Sequence, residues 1–419
     1  MRNLFVLFIL LIANQANSQF KTDVLVLGAS ASGTACAIQA ARSGVKAILI
    51  DQNNYLICPN EPNLNIPAFN TGIWGEWKRL SDSSKTAPLN SLETIVKKVK
   101  NLQLFKNAKV LAISENNNNY TVKILLNGKK QEIKTKVLVD ASEDYQSCYL
   151  VKFGILKLNA QNQIDALVTY NTPSQNKPDQ QINNFYRTSV AAGFGKDSSQ
   201  IFAVPAGVFI PQGKNNLLVI NKLVGVGDSI SNDFNLALWV NIGQATGGLA
   251  AYGPFFKTAI KNANVRVLQS EVFNYKGQIL PITDVSTQDS AYKAIQQIII
   301  SSVLKLDFNT GQFFPDSLVN PKDIKPALCE LFTRAKLWYS ENEPILINLE
   351  NAISLFSFIN SREEPDIKRE ITEKWKIKYG FLVDINFKRP LTRKQFAVIV
   401  NDYLQPYKIR VNFDGNFIK

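Results

Sequence analysis

Apolar residues fall into short continuous runs along much of the first half of the chain. Residues 24–27, 45–50, 137–142 and 217–220 are such runs, as expected of parallel strands buried on both faces. Between the first two, residues 34–43 form helices readily, and Gly44 follows as a C-terminal glycine cap. Residues 92–99 also read as a helix. Residues 109–113, 120–126 and 132–139 read as strands, the second pair joined by an Asn127-Gly128 hairpin turn. From 52 to 88 the chain reads as irregular, with Pro59, Pro62 and Pro67 and the segment FNTGIWGEW at 69–77. Trp74 and Trp77 there either pack under a loop or cover a ring of a bound molecule. Residues 145–212 are mixed and strand-rich. Residues 236–251 predict a helix of small residues, and amphipathic helices fill the rest.

The leading segment changes this picture. Residues 4–13 are apolar, about half of what a bilayer-spanning helix needs. One arginine precedes them, and Ala16-Asn17-Ser18 follows with small residues at the two positions a signal peptidase reads. Residues 1–18 are therefore expected to be a cleaved secretory signal, which makes the mature protein periplasmic or secreted. The net charge is +13, but its lysines are scattered, which predicts a basic solvated surface with weak attraction to acidic glycans or envelopes. No aromatic-and-basic module for nucleic acid is present.

The chain has no histidine, which excludes His-dependent triads, His metal sites and a histidyl-linked flavin. A general base must be a carboxylate, Tyr, Lys or a cofactor atom. The four cysteines, Cys36, Cys58, Cys148 and Cys329, contain no CxxC pair, so dithiol and zinc-knuckle chemistry are not expected. Export permits a Cys58–Cys148 disulfide, while Cys36 reads as a small buried hydrophobe on a helix. Cys58 as a flavin tether is the less ordinary alternative to a buried or disulfide role.

The candidate chemistry lies in TDVLVLGASASGTACAIQAARSGVKAILID, residues 22–51, a complete βαβ unit. Gly28 allows a tight turn out of the first strand. Gly33 lets the helix approach the sheet, with its N-terminal amides and dipole toward a pyrophosphate. Ser30, Ala31 and Ser32 complete that loop, and Ser30 stands where the full fingerprint has glycine, with a hydroxyl available to phosphate. Asp51, at the tip of the second strand, is placed for a ribose hydroxyl. The expected cofactor is FAD, because no dependable pool of soluble nicotinamide nucleotide exists outside the cytoplasm.

These residues resemble the FAD-dependent oxidoreductases of the glutathione-reductase-like Rossmann superfamily, in particular an exported bacterial branch with a GGTPAG-type loop. GASASG at 28–33 is similar to that loop, VLVDAS at 137–142 to a strand ending D-A-T-G-D, residues 201–225 to a return strand, and GQATGGLAA at 243–251 to a GQAAGTAAA helix. The resemblance implies cofactor contacts from Gly28, Ser30, Ala31, Ser32, Gly33, Asp51, Gly227, Asp228 and Gly243. Asp228 reads equally as a helix N-cap. The chain departs from the family at Glu143, at Asn221-Lys222, at an absent Thr-His pair, at Phe234-Asn235 in place of an arginine, and at a missing Gly-Gly-Met segment. Residues 279–335 and 390–404 resemble degenerate S-layer homology repeats, which fit either a packing appendage or a grip on wall polysaccharide.

The expected organisation is α/β. A Rossmann-type FAD/NAD(P)-binding domain covers 19–144 and 213–257, a strand-rich substrate domain is inserted at 145–212, and a C-terminal helical region covers 258–419. The expected function is an FAD-dependent oxidoreductase acting on a small-molecule, sugar-like substrate, without metal or nucleic acid. A catalytically degenerate envelope or glycan-binding relative is the alternative, and a nicotinamide-dependent dehydrogenase a third.

Overall fold

The computed structural model describes residues 19–54, 56, 70–84, 88–142, 156–158, 164–167, 184, 186–194, 201–220 and 236–418. The expected leader at 1–18, Cys58, Cys148, Glu143, Gly227 and Asp228 lie outside these residues, as does most of the expected insertion at 145–212.

β1 (Gln19–Leu27), α1 (Ala31–Arg42) and β2 (Ala47–Ile50) form the predicted βαβ unit, with Val24–Leu27 and all of β2 buried. The next element corrects the expectation of irregular chain. Residues 72–84 form helix α2 (Gly72–Ser84), followed by α3 (Pro88–Lys98). Glycines at 72 and 75 hid α2, but Ile73, Trp74, Trp77 and Ser81 are its buried stripe at helical spacing. Gly75 is required there, since a Cβ would lie 2.3 Å from the Asn70 carbonyl oxygen. A short strand β3 (Leu102–Phe105) precedes the three-stranded meander β4 (Ala108–Asn116), β5 (Asn119–Leu126) and β6 (Lys129–Asp140). Asn127 and Gly128, both at positive φ, make the predicted hairpin turn.

Short strands β7 (Leu156–Leu158) and β8 (Ile164–Leu167) pair with each other, as do β9 (Ser189–Phe194) and β10 (Ile201–Pro205). Strand β11 (Leu217–Val219) then returns to the main sheet, beside β6. The sheet order is β3-β2-β1-β6-β5-β4, with β11 also on β6. The strands β3, β2, β1, β6 and β11 are mutually parallel, the 3-2-1-4-5 order of a doubly wound nucleotide fold.

β1 and β6 both turn a corner. Straight strand would hold Phe20 about 23 Å from the level of Leu27. Yet the Phe20 ring lies 4.9 Å from that of Phe105, which is in register with Ile50 and hence with Leu27. Thr22 and Thr135, paired across the two strands, sit at the bend. The Thr22 hydroxyl donates to the Lys46 carbonyl at 2.8 Å and the Thr135 hydroxyl to that of Val137 at 2.8 Å. An Asp23–Lys136 ion pair at 2.8 Å lies beside them. Ala108, at the start of β4, donates its amide to the Asp51 carbonyl and so continues the β2–β3 ladder by one bond.

Helix α4 (Leu236–Phe256) lies across α1 and is almost wholly buried in its first four turns. The remaining elements are α5 (Val265–Asn274), α6 (Tyr292–Ile300), α7 (Pro321–Leu331), α8 (Thr333–Glu341), α9 (Leu349–Asn360), α10 (Glu364–Ile377), α11 (Arg393–Tyr403) and a terminal hairpin, β12 (Arg410–Val411) with β13 (Phe417–Ile418). The Asp284 carboxylate accepts the Phe313 and Phe314 amides at 2.8 and 2.6 Å, fixing the turn at residues 311–316, and α6 packs against α11.

The helical region shares one continuous core with the sheet, from Val24 to Phe413. Arg266, 4% exposed, fastens the two: its guanidinium donates to the carbonyls of Arg187, Ile300 and Ile409. Burial lowers its pKa to about 10.

Candidate functional site

The paired ends Leu27, Ile50, Asp140 and Val219 bring four parallel strands to a common C-terminal edge. Ligands bind at this edge in open α/β sheets, beside the strand where the order reverses. β1 is that strand, and the chain leaves it through the glycine turn. Gly28 takes φ +92, and a Cβ on it would lie 2.7 Å from the Ser142 Cα. A Cβ on Gly33 would lie 2.1 Å from the Gly28 carbonyl oxygen and 2.8 Å from the Ala141 Cβ. Only glycine fits at either place, so the loop closes against β6 and holds α1 tight on the sheet.

Ser30 is the N-cap of α1, its hydroxyl accepting from the Gly33 amide at 3.1 Å and donating to the Ala141 carbonyl at 3.0 Å. The Ser32 hydroxyl donates to the Ile220 carbonyl at 3.2 Å. Thr34 donates its amide to the Ser30 carbonyl. The amides of Ala31 and Ser32 have no partner among the described residues, and the first turn of α1 carries no acid. This helix start therefore presents free N–H groups and the positive end of a dipole.

Asp51 is 3% exposed. Its carboxylate accepts the Ala29 amide at 2.6 Å and the Asn53 amide at 2.7 Å. The acid expected at the ribose thus also braces the glycine turn, and each oxygen keeps a lone pair for a further donor. Asp140, fully buried at the tip of β6, accepts from the Ser142 amide at 3.0 Å and hydroxyl at 2.7 Å. It carries the same sequence signal as Asp51, an acid ending an apolar strand, but was not among the expected site residues.

Gly243 on α4 meets α1 directly: a Cβ there would lie 2.1 Å from the Ser32 carbonyl oxygen. One turn on, a Cβ on Gly247 would lie 2.4 Å from that of Cys36. Gly243 thus sets the position of the α1 N-terminus through backbone contact. Gln244, a second residue not singled out from sequence, accepts the Ile73 amide and donates to the Tyr275 carbonyl, each at 3.0 Å, tying α2 to α4.

Trp74 and Trp77 are fully buried and meet edge to face, 5.8 Å apart, so packing is their role in this structure. Cys36 is fully buried, and burial pushes its thiol well above the ordinary range, away from thiolate chemistry. No group of His, Cys, Asp or Glu among the described residues is arranged to hold a metal ion.

No protein-family model matches the chain, and no curated protein matches its sequence. Among solved structures, it is similar to p-nitrophenol 4-monooxygenase from Pseudomonas putida DLL-E4, at 15% identity over 36% of this chain and 46% of that one, with a TM-score of 0.26. It is similar to L-proline dehydrogenase from P. horikoshii at 13% identity over 64% and 62%, TM-score 0.31. The flavin-dependent monooxygenase PieE, solved with FAD and substrate, matches at 14% identity over 33% of each chain, TM-score 0.25. The chain spans less than two thirds of the length of each of these structures.

Proposed function

We propose that the chain holds FAD at the C-terminal edge of its parallel strands and acts, outside the cytoplasm, as an FAD-dependent oxidoreductase on a small organic substrate. The observation that carries this reading is the α1 start. Two glycines with no room for a Cβ bring unpartnered Ala31 and Ser32 amides to the switch point of a 3-2-1-4-5 parallel sheet, with Asp51 on the neighbouring strand. These groups fit a dinucleotide. The amides and the acid-free first turn suit a pyrophosphate, and the unused lone pairs of Asp51 suit a ribose hydroxyl. Ser30 is committed to capping, so the phosphate contact falls to backbone amides.

Bound FAD would supply the hydride acceptor, chemistry no side chain offers. The chain's own residues orient and shield. Asp51 fixes the turn, Gly243 sets the height of α1, and the α1 dipole faces the negative charge. With no histidine, proton transfer falls to a carboxylate, Tyr or Lys. Export, read from residues 1–18, favours a tightly held flavin over an exchangeable nicotinamide.

The test is an absorption spectrum of protein made with its export route intact, followed by denaturation and identification of the released nucleotide. Flavin bands with FAD released support the reading, and substrates are then screened by anaerobic bleaching. A colourless protein that does not take up added FAD would refute it in favour of a degenerate binding role.

A further inference from the structure

At the far end of α4 from the nucleotide edge, Phe255 and Phe256 stand 62% and 51% exposed. Their rings are 5.0 Å apart, and Tyr252 packs 4.5 Å from Phe256. Val267 on α5, 39% exposed, continues the patch, and a groove of about 120 Å³ runs beneath it between α4 and α5. That volume lies below the roughly 300–1,000 Å³ of a small-molecule site.

The exposed charges on this stretch of chain are positive. From Tyr252 to Ser270 there is no Asp or Glu, while Lys257 and Lys261 are exposed and make no ion pair among the described residues. Glu271 on the groove wall is already bonded to the Ser43 hydroxyl. The whole chain carries +13.

We infer that this corner is a membrane-docking surface: Phe255 and Phe256 enter the headgroup–acyl boundary of an anionic bilayer while Lys257 and Lys261 face its lipid phosphates. An aromatic pair flanked by free cations on a strongly basic protein is complementary to an extended surface that is apolar within and negative at its face. No helix among the described residues is long and apolar enough to cross a membrane, so this contact is peripheral. The inference is independent of the nucleotide reading.

The experiment uses the full chain and its variants side by side with phosphatidylcholine vesicles, pure or containing about one part in three of phosphatidylglycerol. In Phe256→Trp, the new indole is read as the difference from wild type, whose Trp74, Trp77, Trp338 and Trp375 are buried and whose Trp239 on α4 is half-buried. The expected result is a blue shift and quantum-yield rise of that indole with anionic vesicles only, reversed by salt. Phe255→Ser with Phe256→Ser, and separately Lys257→Glu with Lys261→Glu, are expected to lower vesicle partitioning about tenfold or more with unchanged melting. An unshifted indole, or equal sedimentation of wild type and both variants, would overturn the inference. A stable dimer in light scattering that Phe255→Ser dissociates would overturn it in favour of a protein partner.

Discussion

Gly243→Ala isolates the contact that sets the nucleotide-binding end of α1. The added Cβ would meet the Ser32 carbonyl oxygen at 2.1 Å, well inside the 3.4 Å at which ordinary contact begins. The obstacle is backbone, so no side chain can swing away, and the helices must part by more than an ångström. Overpacking of this kind costs about 1–3 kcal/mol. Gly248→Ala, five residues along the same helix, is the matched control. Its Cβ would meet side chain only, the Leu268 Cδ1 at 3.3 Å and the Glu271 Cγ at 3.6 Å. That substitution should be near neutral, the helix propensity of alanine offsetting a shift of a few tenths of an ångström by Leu268. Thermal melts followed by far-UV circular dichroism should therefore separate the two variants by roughly 2–4 °C. FAD affinity should fall in Gly243→Ala and not in Gly248→Ala, because only the former moves the Ala31 and Ser32 amides. Equal melting of the two variants would refute the close α1–α4 contact.

Other substitutions probe the remaining joints. Gln244→Leu leaves the Ile73 amide and the Tyr275 carbonyl unpaired. It should cost about 1–3 kcal/mol in urea unfolding and speed amide exchange at the start of α2; unchanged exchange would remove Gln244 as the tie. Arg266→Met strands the carbonyls of Ile300 and Ile409, while that of Arg187 keeps its bond from the Gln269 amide, and should destabilise by about 2–4 kcal/mol, against an expectation near zero if those bonds are incidental. Burial alone would raise the Asp402 carboxyl, but bonds from Lys378, Tyr379 and Lys374 outweigh it and hold the group below the usual range. The resulting stabilisation is complete above about pH 4 and is lost as pH falls through the lowered value. Asp402→Asn should flatten that acid limb in melts between about pH 6 and 2. An acid limb identical to wild type would count against it.

How much of this was legible follows from how local each signal is. The βαβ unit was readable because its strands are continuous apolar runs, its turn needs glycine and its helix ends at Gly44, all within residues 22–51. The Asn127-Gly128 hairpin was readable for the same reason. Helix α2 was not, because Gly72 and Gly75 read as breakers, and the close approach of Gln244 to Gly72 is a contact that only the fold creates. β3 is four residues of mixed burial with no period of its own, and it exists because β2 offers an edge. At the site, Gly28, Gly33 and Asp51 could be placed in advance. The commitment of Ser30 and Ser32 to protein carbonyls could not, because Ala141 and Ile220 are distant in sequence.

The central claim is that the α1 start binds the pyrophosphate of a flavin dinucleotide, and a titration with FAD of wild type beside Ser30→Asp tests it most directly. Aspartate keeps the cap on the Gly33 amide but cannot donate to the Ala141 carbonyl, so the variant should lose about 1–3 kcal/mol and still melt cooperatively. The added negative charge beside the Ala31 and Ser32 amides should lower FAD affinity by at least about tenfold. Saturable FAD binding by wild type, lost in a variant that still melts cooperatively, is the predicted result. Equal binding by both proteins, or none by wild type, would contradict the account.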